Sequence, residues 1–209
     1  MAVPGIPIKE IEKQDDSSRM EFVRNVIFER AVDLFLEKSF RGTSMNQLAQ
    51  ACGVSKPALY HYFRNKSHLL ETLYDVVTRE FFENMEQLAR TKGSPTERMR
   101  KLVVLQTVYN IANGRFLTVF WRERREFDEE SRQNLARKER AFEALVVGII
   151  DEGREAGEFA ARDSHVAAMG ILGMLSTAHR WASYVEATPD DIAASLSDLV
   201  IEGLTARRE

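Results

Sequence analysis

The stretch TSMNQLAQACGVSKPALYHYFRNK, Thr43 to Lys66, reads as two short helices either side of a glycine turn. Ser44 can cap the first helix. Gln47, three residues on, completes a capping box in which each side chain satisfies an orphan backbone N–H. Met45, Leu48, Ala49 and Cys52 then fall at i, i+3, i+4 and i+7, one apolar stripe. Gly53 follows, where a helix end needs a residue free to turn left-handed. Ser55 can cap the second helix, and Pro57 sits in its first turn, where a missing N–H costs nothing. On a helical wheel Leu59 and Phe63 face inward with Val54 over the turn, while Lys56, Pro57, Tyr60, His61 and Arg64 share the opposite side.

The charge of this stretch differs from that of the whole. Arg41 to His68 holds four cations (Arg41, Lys56, Arg64, Lys66) and no carboxylate, whereas the full chain carries 29 basic against 32 acidic residues. A positive patch on an acidic protein is the footprint of a polyanion site. The two helices therefore predict a DNA-reading helix-turn-helix over 44–63.

Thr43-Ser44-Met45, Leu48-Ala49, Gly53-Val54-Ser55, Leu59-Tyr60-His61-Tyr62-Phe63, Lys66 and Leu69 resemble the signature of the tetracycline-repressor family. The resemblance covers Arg19 to Leu88. It implies an all-α fold, double-stranded operator DNA as partner, and DNA contacts from Thr43, Ser44, Lys56, Pro57, Ala58, Tyr60, His61, Tyr62 and Lys66. Lys66, at a helix N-terminus, is expected to meet a phosphate.

At 209 residues, with 44 % hydrophobic and 29 % charged, the chain has room for a small domain and a larger one. Residues 1–18 balance Lys9 and Lys13 against Glu10, Glu12, Asp15 and Asp16 and hold too little apolar content to fold alone, so a disordered arm is expected. The N-terminus has no apolar run of signal-peptide length and the longest uncharged stretches, Leu102 to Gly114 and Val166 to Ala178, are too short to cross a bilayer, which predicts a cytoplasmic protein with no membrane partner. The lone Cys52 excludes an intrachain disulfide.

A helix from Arg19 to Lys38 repeats Phe22, Val26, Ile27, Ala31, Leu34 and Phe35. Asn65 can cap a long helix to Leu88, which in the family joins the two domains. Residues 19–82 are thus expected to form the DNA-binding domain and 83–209 an effector-binding and dimerisation domain. Further helices run from Thr96 to Ala112, through Phe116 to Trp121, from Asp128 to about Glu155 where Gly157 stops it, from Asp163 to about Tyr184, and from Thr188 to near Leu204, about nine in all.

The helix after Asp163 is rich in small residues. Paired with the last helix, it resembles the four-helix dimer interface of the family, with Ala168, Gly170, Gly173, Thr177, Leu196 and Leu199 facing a second subunit. Family members enclose an effector. Phe81, Met85, Tyr109, Phe116, Phe120, Trp121, Phe142, Met169 and Trp181 are the expected walls. An Arg-rich entry (Arg122, Arg124, Arg125), the run IIDEGREAGEF and Trp181 are similar to regulators that sense acyl-CoA thioesters, so the expected effector is small and lipophilic, an acyl-CoA or fatty acid.

Catalysis has no foothold. His61, His68, His165 and His179 show no HExxH or clustered-cysteine spacing, so neither a metal, a cofactor nor catalytic residues are expected. The alternatives to a ligand-released homodimeric repressor are a DNA-binding protein without an effector, or an enzyme on a helical scaffold.

Overall fold

The computed structural model describes the backbone of residues 16–205 and the side chains from Asn25 onward. Residues 1–15 of the expected N-terminal arm (1–18) and the side chain of Phe22 lie outside the described residues, while 16–18 are helical, so the first helix starts before the expected Arg19. The helices are α1 (Asp16–Lys38), α2 (Met45–Cys52), α3 (Lys56–Tyr62), α4 (Lys66–Arg90), α5 (Pro95–Ala112), α6 (Gly114–Glu123), α7 (Glu129–Glu155), α8 (Ser164–Ser176), α9 (Ala178–Trp181) and α10 (Pro189–Leu204). Among the described residues nine helices exceed six residues, α9 is a single turn, no strand forms, and the one extended pairing is an antiparallel bridge between Phe159 and Thr205.

Local chemistry sets the boundaries. Ser44 and Gln47 close a capping box on α2, and Gly53 ends it at φ +66°. Ser55 caps α3 at the Ala58 N–H. Asn65 Oδ1 accepts from the His68 N–H, 2.8 Å away, in the first turn of α4. Ser94 with Glu97 and Thr188 with Asp191 form two more boxes, at α5 and α10. Asp128 and Asp163 cap α7 and α8.

One expected helix is broken. The run from Asp163 does not reach Tyr184 unbroken, because α8 ends at Ser176. Ser176 Oγ donates to the Gly173 carbonyl (2.9 Å) and Thr177 Oγ1 to that of Met174 (3.0 Å). Hydroxyls that take carbonyls one turn back compete with the helix ladder and close it.

By compactness the chain divides after Leu70, ahead of the boundary expected at residue 82. In the N-terminal unit, Ile27 and Phe35 of α1, Leu48 of α2, Leu59 of α3, Phe63 and Leu69 are all but fully buried. Each such side chain is worth about 1.5–3 kcal/mol against exposure, which is how the short α2 and α3 are held to their neighbours.

In the larger unit α5 is central, packing on α10, α7, α8 and α9. Met99, Leu102 and Val103 meet Val146, Ile149 and Ile150 of α7, Ala168, Ile171 and Leu175 of α8, and Ile192, Leu196 and Val200 of α10 in one core. Buried polar groups on α5 are tied to its neighbours. Asn110 Nδ2 donates to the Leu175 carbonyl (2.9 Å), and the Arg98 guanidinium meets both the Ala89 carbonyl (3.2 Å) and the Glu152 carboxylate.

Candidate nucleic-acid interface and ligand cleft

The core of the N-terminal unit decides which side of α3 reaches solvent. Leu59 and Phe63 point inward at 0 % and 1 % exposure, so Lys56, Pro57, Tyr60, His61 and Arg64 are left outside. Tyr60 is 43 % exposed, unusual for a large aromatic, and the Lys56 ammonium lies 5.9 Å from its ring centroid. A cation over an aromatic face presents a positive group and a flat apolar surface together, the combination that meets phosphate oxygens and base edges. His61 and Tyr62 stand edge-on at 5.5 Å. Tyr62 and Ala58 are half-buried and sit at the margin of this face.

Two expected contact residues are placed differently. Thr43 is 2 % exposed, and its hydroxyl donates to the Ser39 carbonyl (2.8 Å) and lies 3.4 Å from that of Leu34. It holds the α1–α2 turn instead of presenting a side chain. The Lys66 ammonium donates to the carbonyls of Phe40 and of Thr43 (2.6 Å). Both pairings lie more than twenty residues apart in sequence, beyond the reach of local pattern. Ser44 is exposed at its cap position. Cys52 is half-buried on α2, and desolvation pushes its thiol up to about 11, so it packs as a small hydrophobe.

In the larger unit the expected aromatic walls separate into two clusters. Tyr74 stacks on Phe120 at 4.7 Å, with Phe116 and Phe127 alongside. Phe81 stacks on Tyr109 at 4.4 Å and meets Phe142 edge-on at 5.4 Å. Burial pushes the phenols of Tyr74 and Tyr109 well up, so both stay neutral. Trp181 is half-buried and packed against the core.

Two members of the expected set reach the surface of the unit. Met169 faces outward on α8, and Trp121 is 39 % exposed, its ring covered by the Arg124 guanidinium at 5.0 Å. Arg124 is also paired with Glu139 (2.9 Å) and Arg122 with the buried Glu123 (2.7 Å), so both arginines are engaged by carboxylates of the same unit.

A cleft of about 230 Å³ runs between α4 and α7, with Phe82, Met85, Ala141, Phe142 and Leu145 as apolar walls. Arg137, Lys138 and Glu86 stand at its edge. Of the expected walls, Met85 and Phe142 belong to it. Lys138 is held by Asp75 (2.8 Å) and lies 5.8 Å from the Tyr74 ring. The spacing that reveals this site is Arg137–Ala141–Leu145 and Lys138–Phe142, two i, i+4 rows with the cation one turn before the apolar group.

The expected subunit-facing residues fall on two sides. Ala168 is fully buried and Leu196 is 9 % exposed, both in the chain's own core, and Thr177 is half-buried. Gly170, Gly173 and Leu199 face outward. Val166, Met169, Gly170 and Gly173 make one exposed stripe at i, i+3, i+4 and i+7 of α8, and a Cβ on either glycine would meet nothing within 4 Å.

Among the described residues no helix is long and apolar enough to cross a membrane. Nor do three His, Cys, Asp or Glu side chains there gather as a metal ion requires.

Residues 27–73 match the model of the bacterial regulatory proteins of the tetR family, and residues 92–204 that of the tetracyclin repressor-like C-terminal domain. The fatty acid metabolism regulator protein of Bacillus subtilis (strain 168) is 26 % identical over 133 residues, covering 63 % of this chain and 68 % of that one. Among solved structures, the TetR-family regulator PfmR of Thermus thermophilus superposes with a TM-score of 0.77 at 28 % identity, over 86 % of this chain and 99 % of that one. FadR of Bacillus subtilis in complex with stearoyl-CoA gives 0.67 at 22 %, over 86 % and 98 %, a likeness of fold. With both halves matched and the helix-turn-helix in place, the chain belongs to the tetracycline repressor family, whose members are DNA-binding transcription regulators and not enzymes.

Proposed function

We propose that the protein is a cytoplasmic homodimeric repressor that leaves a palindromic operator when an acyl-CoA or fatty acid binds its larger unit. The α4–α7 cleft carries the effector reading. Its walls are apolar, and two cations stand where an acidic head group would emerge. An acyl chain removes water from Phe82, Met85, Phe142 and Leu145 at about 25 cal/mol per Å² buried, while Arg137 and Lys138 meet phosphate or carboxylate oxygens. The stearoyl-CoA held by the Bacillus FadR supports the same ligand class.

The exposed stripe of α8, with Leu199 of α10 at 58 % exposure, supports pairing of two subunits. A two-fold dimer presents two α3 helices to successive major grooves, about 34–36 Å apart. Operator and effector then oppose one another. By linkage each weakens the other by the same factor, about 5-fold to 150-fold for coupled sites.

Titrating oleoyl-CoA into the complex with an operator duplex, followed by fluorescence anisotropy, tests this. Release at micromolar ligand is expected. Arg137→Ala with Lys138→Ala should raise the releasing concentration about tenfold or more while leaving ligand-free DNA affinity unchanged. Release that is indifferent to both cations would remove the acyl-CoA reading.

A further inference from the structure

The α1–α2 turn of the N-terminal unit, residues 39–44, is closed by several hydrogen bonds. Ser39 ends α1 at φ +63°, a left-handed conformation that a non-glycine residue adopts at a cost. Its hydroxyl accepts from the Gly42 N–H (3.3 Å), and the Thr43 N–H returns to the Phe40 carbonyl (3.2 Å). Thr43 Oγ1 fastens the turn back to α1. Phe40 is buried against Phe35 with ring centroids 5.4 Å apart.

Lys66 reaches into this turn from the start of α4. Its ammonium donates to the carbonyls of Phe40 and Thr43 and lies 4.2 Å from the centre of the Phe40 ring. An ammonium has three donors, and two of these are committed to backbone carbonyls of the turn. A cation at a helix N-terminus also opposes the helix dipole. Lys66 is therefore held against that field by the bonds to the turn. The residue directly after its second partner is Ser44, the cap that starts α2.

We propose that Lys66 is a positioning residue and not a phosphate contact: its ammonium latches the first turn of α4 to the α1–α2 turn and so fixes where α2, and α3 behind it, begin. This rests on the DNA-binding reading for its consequence but not for its geometry.

Two measurements decide it. Trace acetylation of the DNA-free, full-length protein, read by mass spectrometry, should modify Lys66 about ten to a hundred times more slowly than exposed Lys56, the range set by one or two charge-assisted hydrogen bonds. Equal labelling overturns the latch, whatever the protein does with DNA. Lys66→Met should then weaken binding to a duplex enriched from a random library by about tenfold, leave binding to unselected duplex unchanged, and leave the slope of log K against log salt unchanged. A phosphate contact behaves otherwise: both duplexes weaken alike and the slope falls by about 0.9. That result overturns the proposal. Should the wild type bind no duplex, the DNA-binding reading fails, while the acetylation ratio still decides the latch.

Discussion

The ring of Phe159 lies directly over Gly153, so closely that a Cβ on Gly153 would fall inside it. The ring is 4 % exposed, and the chain around it is bonded to the end of α10 by the Phe159–Thr205 bridge and the Ala160 N–H to the Leu204 carbonyl (2.7 Å). The last turn of α7 thereby sets the end of α10. Gly153→Ala should destabilise the larger unit by about 1–3 kcal/mol despite the better helix propensity of alanine, because overpacking here displaces a buried ring. Urea unfolding followed by tryptophan fluorescence checks this, Trp121 and Trp181 both lying in that unit. An unchanged midpoint would mean that the ring moves freely.

The exposed face of α3 gives a second expectation. Tyr60→Ala should weaken a selected duplex about tenfold with little effect on unselected DNA, as loss of a base-edge or sugar contact does. Lys56→Ala should weaken both and lower the salt slope by about 0.9. Thermal melting should be nearly unchanged in each, since neither side chain is in the core. Normal duplex binding by Tyr60→Ala would put the reading surface elsewhere.

The two sides of α8 separate assembly from folding. Gly173→Leu adds bulk where the chain itself leaves open space, so the monomer should fold normally and sediment as a monomer. Ala168→Glu instead puts a carboxylate into the core of the same subunit, at a cost above about 3 kcal/mol, and should unfold the unit before any effect on pairing is seen. Sedimentation velocity and circular dichroism on the two variants distinguish these outcomes. A folded dimer of Gly173→Leu would move the interface off this stripe.

His179 supplies a pH dependence. Partial burial, first, and the neighbouring Arg180 charge, second, hold its imidazole below the ordinary histidine value, against a smaller opposing effect of the Ser176 backbone. The unfolded chain takes up a proton near pH 6.5, before the folded chain does. This contribution is therefore full above about pH 6.5 and is lost as the pH falls below it. The urea midpoint should drop between about pH 7.5 and about pH 5.5, and His179→Leu should flatten that drop. An identical slope in the variant would assign the dependence to other groups.

Caps were the most legible part of this chain. Ser44, Ser55, Asp128, Asp163 and Thr188 each bond to N–H groups no more than three residues away, so the sequence spells out both partners. The inward and outward faces of α3 were legible for the same reason of short period. What lay hidden depends on distance or on a missing contrast. Lys66 finds its carbonyls more than twenty residues back. α8 carries apolar or small residues all round, so periodicity could not tell buried Ala168 from open Gly173. Thr177 broke a helix through a hydroxyl whose alternative bond is indistinguishable in sequence from an ordinary surface threonine. The cleft cations Arg137 and Lys138 were masked by the density of charge along α7, where Lys138, like the more conspicuous arginines at 122 and 124, is paired with a carboxylate.

The open stripe on α8 bears on how such a protein can change over generations. Gly170 and Gly173 cost their helix about 1 kcal/mol each relative to alanine, and the subunit receives no packing in return. Substitutions there can only add volume, and they add it outside the subunit's own core. Under the proposed pairing, partner choice could drift after a gene duplication, two copies ceasing to pair with each other while each went on folding as before.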